Sequence, residues 1–333
     1  YIICNMSKVR ILDTTLRDGG YINKWMFGKK NINEIVTQLS NSNIDYIECG
    51  YFNPQKKFNK DCSIYTHIKD ISTFLPLNKN TIYTLMINFE ELKLKDLSNN
   101  TYKNFELRIA FKPQQLNNVK DYIKPLLDKN YKISLNPMHT SIYSIEDINK
   151  LCQITNELKV NCLTVVDTMG IMTKKDTINL FQILDNEIIS NTNLGFHSHN
   201  NLQLSYSNTK ELIKSNLRHN LIIDSCILGI GRGAGILPTE LIAQYQNEHS
   251  NSNYDLNIIS TIANKYINPL EKIQKWGYSY PYYLSAKNKC HPNYAKYLIE
   301  HTNLTYKEMN RIFSIIPNNE KINYNEELLK KIL

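Results

Sequence analysis

Hydrophobic positions along the chain follow two alternating patterns. Short runs rich in β-branched and aromatic residues are each followed by a stretch with apolar residues three and four apart. Residues 9–15 read as the first strand, which Gly19 and Gly20 are expected to break. Residues 31–41 have helical spacing through Ile32, Ile35, Val36 and Leu39. A second strand is expected over 44–50, a helix over 64–74, a third strand over 81–88 and, past a polar linker, a fourth over 105–111. A helix over 116–129 precedes a fifth strand, 131–136, stopped by Pro137. Residues 144–158 predict the clearest helix, with Ser144 and Asp147 in capping-box register. A sixth strand over 161–167, a helix over 174–184, a seventh strand over 193–199, a helix over 203–215 and an eighth strand over 221–228 complete the series. A glycine-rich turn, 229–235, leads into a helix from about Pro238, with Glu240 in its first turn.

Eight strands alternating with helices predict an α/β fold, a (β/α)8 TIM barrel over residues 8–245. A doubly wound sheet with added strands is the alternative. An Asn/Ser-rich linker follows, and 258–333 reads as a helical, aromatic C-terminal extension that packs on the barrel or on a partner chain.

Composition changes this picture little. With 42% hydrophobic and 21% charged residues, the chain is expected to fold rather than to stay disordered. The net charge of +8 is spread through Asn-rich surface stretches with no basic stripe interleaved with aromatics, which argues against nucleic acid and leaves a field that draws small anions. Cysteines 4, 49, 62, 152, 162, 226 and 290 show no C-x-x-C spacing, as expected in a reducing compartment. The start lacks a signal-peptide apolar region and no apolar run approaches membrane-spanning length, so a cytoplasmic protein off the membrane is expected.

Candidate chemistry gathers at predicted strand ends. His197 and His199, two apart on a strand, point to one side, and at the C-terminal end of a barrel that side is the active-site mouth. Two imidazoles with a carboxylate from another strand form a metal-binding set with open positions. Asp18 and Asp13 compete as the third ligand, and a polar strand end with no metal is the plain alternative. Arg17 supplies a positive fork for a developing oxyanion, or a salt bridge to Glu48 or Asp167. Glu48, Asn136 and Asp167, at the ends of strands 2, 5 and 6, are placed to line the cofactor site by orienting Arg17 or a histidine, or serve only as turn residues. His139, just after strand 5, is a candidate acid or base. The turn GIGRGAG, 229–235, is a weak phosphate-cradle signal without dinucleotide or P-loop spacing.

The segments LDTTLRDGGY (12–21), IECG (47–50), VDTMG (166–170), GFHSHNN (195–201) and GIGRGAGILPTE (229–240) together resemble the HMG-CoA-lyase-like (DRE-TIM) metallolyase family, most of all its 4-hydroxy-2-oxovalerate aldolase branch. The resemblance covers the whole barrel in order. It implies Arg17 as the catalytic arginine and Asp18, His197 and His199 as ligands of a divalent metal ion, Mn²⁺ or Mg²⁺, with Zn²⁺ or Co²⁺ as options. It also implies a lyase that makes or breaks a C–C bond through a pyruvate-type enolate, acting on a small anionic 2-oxo acid and an aldehyde. Tyr21 stands where the aldolases carry a histidine thought to be the base, and Tyr282 is the match to a tyrosine those enzymes use in the tail. The loop at 229–235 lacks the cysteine of HMG-CoA lyase, which argues against that substrate. A Claisen-type acyltransferase condensing acyl-CoA with a 2-oxo acid is the second expectation, and a non-catalytic barrel the third. A homo-oligomer is expected, ahead of assembly with an aldehyde dehydrogenase.

Overall fold

A computed structural model describes residues 8–74, 80–89, 91–92, 97–189 and 191–333 of the chain. Eight parallel strands form the barrel: β1 (Val9–Asp13), β2 (Tyr46–Phe52), β3 (Ile82–Asn88), β4 (Phe105–Phe111), β5 (Lys132–Pro137), β6 (Cys162–Asp167), β7 (Asn193–Ser198) and β8 (Leu221–Ser225). Each pairs with its neighbours in sequence, and β1 pairs with both β2 and β8, which closes the ring. β4, β6, β7 and β8 are buried at every position, because helices cover one face and the barrel interior the other. That burial is why they read as nearly continuous apolar runs.

The outer helices are α1 (Lys29–Asn41), α2 (Val119–Asp128), α3 (Ile145–Leu158), α4 (Lys174–Glu187), α5 (Ser205–Lys214) and α6 (Thr239–His249). α1 buries Ile32, Ile35, Val36 and Leu39, the stripe that its spacing predicted. At α3 the Ser144 hydroxyl accepts the Asp147 N–H at 3.1 Å and the Asp147 carboxylate accepts the Ser144 N–H at 3.2 Å. Thr173 and Asp176 repeat the device at α4, each cap contributing about 1 kcal/mol.

The expected helix over 64–74 is corrected. Ile64–Tyr65 forms a two-residue strand paired to Tyr51 and Phe52, and Ile68–Ile71 is a single 3-10 turn. The Asp70 carboxylate accepts the N–H groups of Thr66 and His67, a side-chain capping that competes with a continuous helix. Residues 75–79 of the neighbourhood lie outside the described set.

Strand β2 carries an irregularity that matters for the site. Its register against β3 shifts between Glu48 and Tyr51, so both side chains turn toward the barrel mouth instead of alternating. Gly50 absorbs the shift at φ 145°, and a Cβ there would lie 1.9 Å from the Ser63 carbonyl oxygen. Gly50→Ala is therefore expected to destabilise the fold by about 1–3 kcal/mol, read as a lower urea midpoint with an unchanged slope.

In the tail, α7 (Leu256–Ile262) sends Ile259 and Ile262 into the barrel's own apolar cluster. The later helices α8 (Tyr280–Lys287), α9 (Pro292–His301), α10 (Tyr306–Ile315) and α11 (Glu326–Ile332) share a second core around Tyr282, Cys290, Tyr294, Leu298 and Phe313. Ala234, in the loop after β8, belongs to that second core, and the Trp276 indole donates to the Leu228 carbonyl at 2.9 Å. The tail is thus seated on the loop at the mouth of the barrel. The six described cysteines are free, and Cys4 lies outside the described residues. Among the described residues no helix is long and apolar enough to cross a membrane.

Candidate active site

The chain leaves β1 at Asp13 and coils at once into two single helical turns, Thr15–Asp18 and Gly20–Asn23. Strand alternation therefore ends before Thr15, earlier than the sequence pattern suggests. Gly19 has φ −59°, so it is not there to reverse the chain. Glycine is required for space: a Cβ at Gly19 would lie 2.4 Å from the Thr15 carbonyl oxygen, and one at Gly20 2.1 Å from the Trp25 ring. The Trp25 indole donates to the Arg17 carbonyl at 2.7 Å and pins the turn.

This turn separates the two aspartates. Asp13 accepts the Thr15 N–H at 3.0 Å and the Thr239 hydroxyl at 2.7 Å, so it staples β1 to α6. Burial pushes its carboxyl up to about 6. Asp18 faces the mouth instead, alongside His197 and His199 from the end of β7. One donor atom from each of the three lies within 4.8 Å of the others.

The donor set has the chemistry of a cation site. Asp18 Oδ1 and His199 Nδ1 are buried with no hydrogen-bond partner. Asp18 Oδ2 has only off-axis contacts, His197 Nε2 at 3.1 Å and Arg17 Nη1 at 3.4 Å. Leaving buried acceptors unpaired costs free energy that a bound cation would recover. Burial opposes charge on Asp18, but Arg17 and then His197 hold its carboxyl well below the usual range. Burial alone would depress His197, and the Asp18 and Asp224 carboxylates beside its ring reverse the sign and raise it. Burial keeps His199 neutral, well below the usual histidine range. A neutral imidazole and an ionised carboxylate are the forms a metal ion requires.

Beneath the three donors runs a closed ring of buried charges. Arg17 Nε donates to Glu48 Oε2 at 2.7 Å, and Arg108 bridges Glu48 Oε1 at 3.0 Å and Asp224 Oδ2 at 2.6 Å. Asp224 meets His197 Nδ1 at 2.9 Å, and the circuit returns through Asp18 to Arg17. Two guanidinium groups face three carboxylates, so the ring is one positive charge short unless a proton on His197 or a cation supplies it. The Asp224 contact at Nδ1 leaves Nε2 of His197 facing Asp18, as in a carboxylate–histidine–metal arrangement.

Above the ring lies a cavity of about 70 Å³, lined by Arg17, Asp18, His197 and His199 and by Tyr21, Tyr51, Asn136 and Arg232. The Tyr21 and Tyr51 hydroxyls share a hydrogen bond of 3.1 Å. Burial holds the Tyr51 phenol well above its ordinary value. Asn136 Oδ1 is buried without a partner.

Other sequence candidates are placed elsewhere. Glu48 sits under the cavity as the clamp on Arg17 and Arg108. Asp167 accepts the N–H groups of Ile171 and Met172 at 3.0 Å each, so it closes the turn after β6 and does not line the cavity. His139 is also outside the cavity lining. Its ring centroid is 6.2 Å from that of His291, and burial pushes it down to about 4. Tyr282 does not reach the site: it is buried in the tail's own core, and burial pushes its phenol up to about 12. Tyr282→Phe is accordingly expected to leave kcat/KM within about twofold of wild type in a steady-state assay.

Sequence reasoning missed Arg108, Asp224, Tyr51 and Arg232. Arg108 and Asp224 did carry a signal, as lone charges inside the apolar runs FELRIAF and LIIDSCIL. A charge in a strand buried on both faces needs a partner across the barrel interior.

Residues 8–265 match the model of the family described as HMGL-like. A 4-hydroxy-2-oxovalerate aldolase from Desulfitobacterium hafniense is 24% identical over 277 residues, 80% of this chain and 79% of that protein. An oxaloacetate decarboxylase from Mycobacterium tuberculosis is 24% identical over 268 residues, 76% of this chain and 74% of that one. Among solved structures, the N-terminal domain of a putative aldolase from Bacteroides vulgatus superposes with a TM-score of 0.76 at 27% identity, covering 91% of this chain and 99% of that one.

Proposed function

The chain belongs to the HMGL-like family and is a carbon–carbon lyase of the aldolase type, and we propose that it is a divalent-metal-dependent aldolase acting on 4-hydroxy-2-oxo acids through a pyruvate-type enolate. The observation that carries this reading is the buried Asp18–His197–His199 donor set, with unpartnered acceptor atoms, facing the same cavity as the Arg17 guanidinium. A divalent ion held there would supply Lewis-acid polarisation of the 2-oxo group.

The chain's own residues account for the rest. In cleavage the C3–C4 bond breaks, its electron pair passes into the C2 carbonyl to give the enolate, and the C4 hydroxyl loses its proton as the aldehyde forms. Arg17, fixed by Glu48 and already desolvated, stabilises the negative charge that grows on the C2 oxygen. Asn136 offers its amide to the carboxylate end of the 2-oxo acid. The Tyr21 hydroxyl, paired to Tyr51, meets the C4 hydroxyl and relays its proton, passing its own proton on to solvent water as it accepts the one from C4–OH. Asp224 keeps His197 in one orientation throughout. Decarboxylation of oxaloacetate leaves the same pyruvate enolate, so the resemblance to a protein named for that reaction supports the enolate as the shared species.

The test is exchange of the pyruvate methyl hydrogens in D₂O, followed by proton NMR with Mn²⁺ or Mg²⁺ and without coenzyme A. Loss of the methyl signal that depends on the metal supports the aldolase. Exchange seen only once an acyl-CoA is added favours a Claisen-type acyltransferase and overturns the proposal.

A further inference from the structure

A second cavity, of about 250 Å³, adjoins the first and shares Tyr21 and Arg232 with it. Its outer wall belongs to the tail, through Asn293, Lys296, Tyr297 and Glu300 of α9. The glycine-rich loop after β8 holds the partition between the two spaces. Asn201 Oδ1 accepts the Ala234 N–H at 2.9 Å, and a Cβ at Gly233 would lie 2.8 Å from that oxygen and 3.2 Å from Pro292. The loop is therefore wedged between the end of β7 and the start of α9, and Arg232 projects between the cavities. Its Cζ lies 5.2 Å from the centre of the Tyr21 ring, and its Nε is buried without a partner.

The lining of this space selects a chemistry. Lys296 is already engaged, by the Gln274 amide oxygen at 3.1 Å and the Glu300 carboxylate at 3.7 Å. Glu326, on the same wall, is paired to Lys330 at 2.6 Å. The tail wall carries no surplus of positive charge of the kind a phosphate or carboxylate ligand needs. The amides of Gln274 and Asn293 stand with the rings of Tyr297 and Tyr324 on this wall, and Tyr21 faces them from the barrel side. Hydroxyl groups both donate and accept, and the C–H faces of a polyol pack against aromatic rings, so this wall complements an uncharged, polyhydroxylated chain. A short alkyl aldehyde has no hydroxyls to offer these polar groups.

We propose that the cavity between the barrel mouth and α9 seats the aldehyde half of the substrate, and that this aldehyde is a sugar-like polyhydroxy aldehyde. The inference rests on the aldolase reading and adds the partner that the first cavity does not specify. Tyr21 then stands where the two halves meet, at the bond that forms or breaks. A smaller space of about 120 Å³ on the other side of Tyr21, lined by Trp25, Asn53 and Lys56, is the competing seat.

The experiment uses the full chain with Mn²⁺, pyruvate and a series of aldehydes: glyceraldehyde and erythrose against propanal and butanal. The expected result is a kcat/KM at least about tenfold higher for the hydroxylated members. Asn293→Leu and Tyr297→Ala, each checked for wild-type thermal melting, are expected to lower kcat/KM for erythrose about tenfold, and Lys56→Ala to leave it unchanged. Equal use of alkyl and hydroxylated aldehydes overturns the proposal, as does a loss of selectivity in Lys56→Ala alone. The wild-type pyruvate exchange separates the two claims: its absence fails the aldolase reading itself, whereas exchange without hydroxyl selectivity fails only the assignment of this cavity.

Discussion

Arg17→Lys is expected to lower kcat by about 10²–10³-fold while Mn²⁺ affinity stays close to wild type. The guanidinium is held by two carboxylates at once, Glu48 at 2.7 Å and Asp18 at 3.4 Å. Burial alone would weaken its charge, and Glu48 followed by Asp18 more than restores it, so Arg17 stays protonated at any working pH. A lysine keeps the charge but is a point donor on a flexible stem, without the planar fork that can bind Glu48 and an oxyanion together. The loss should fall on kcat more than on KM, because the charge that Arg17 meets develops only as the C–C bond breaks. Steady-state kinetics on the wild type and the variant, with Mn²⁺ binding measured in parallel, read both quantities.

Arg108→Leu has the largest expected effect on stability, a loss of about 3–5 kcal/mol. Arg108 is among the largest fully buried side chains and joins Glu48 to Asp224 across the barrel interior. Removing it takes one cationic partner from each of two fully buried carboxylates, leaving Glu48 with Arg17 alone and Asp224 with His197 alone. The cost is that of uncompensated buried charge, not of one lost hydrogen bond. Urea unfolding of wild type and variant at neutral pH measures it. The change should also reach the mouth of the barrel: Asp224 loses the partner that fixes it against His197, and Mn²⁺ affinity is expected to fall about 10–100-fold.

Much of the architecture can be read from the chain because a parallel barrel states its period plainly. Six of the eight strands are followed by a helix whose apolar spacing or capping residues match the structure, β3 leads into a polar linker with no predicted helix, and Ser144 with Asp147 marks the start of α3 almost to the residue. The exception, 64–74, shows how the reading fails. Ile64 and Tyr65 have strand character, but the apolar spacing that follows suits a helix, and only the position of Asp70 against Thr66 and His67 decides for a capped turn.

The site was legible in proportion to how local its residues are. Arg17 and Asp18 are adjacent, and His197 and His199 are two apart, so short patterns bring them forward. Arg108 and Asp224 are 116 positions apart in sequence and meet only because β4 and β8 face each other across the barrel. Tyr51 enters the cavity through the β2 irregularity at Gly50, which strand alternation alone does not anticipate. Tyr282 is suggested by the family resemblance alone, and its place in the tail's own core depends on packing between tail helices that no local pattern records.

The central claim is that Asp18, His197 and His199 hold a divalent ion beside Arg17. Titrating metal-stripped protein with Mn²⁺, followed by the loss of the free-ion EPR signal, tests it most directly. The account predicts a single tight site in the wild type, retained in Arg17→Lys and abolished in both Asp18→Asn and His199→Gln. Failure of the wild type to bind Mn²⁺ or Mg²⁺ stoichiometrically, or binding that survives Asp18→Asn unchanged, would contradict it.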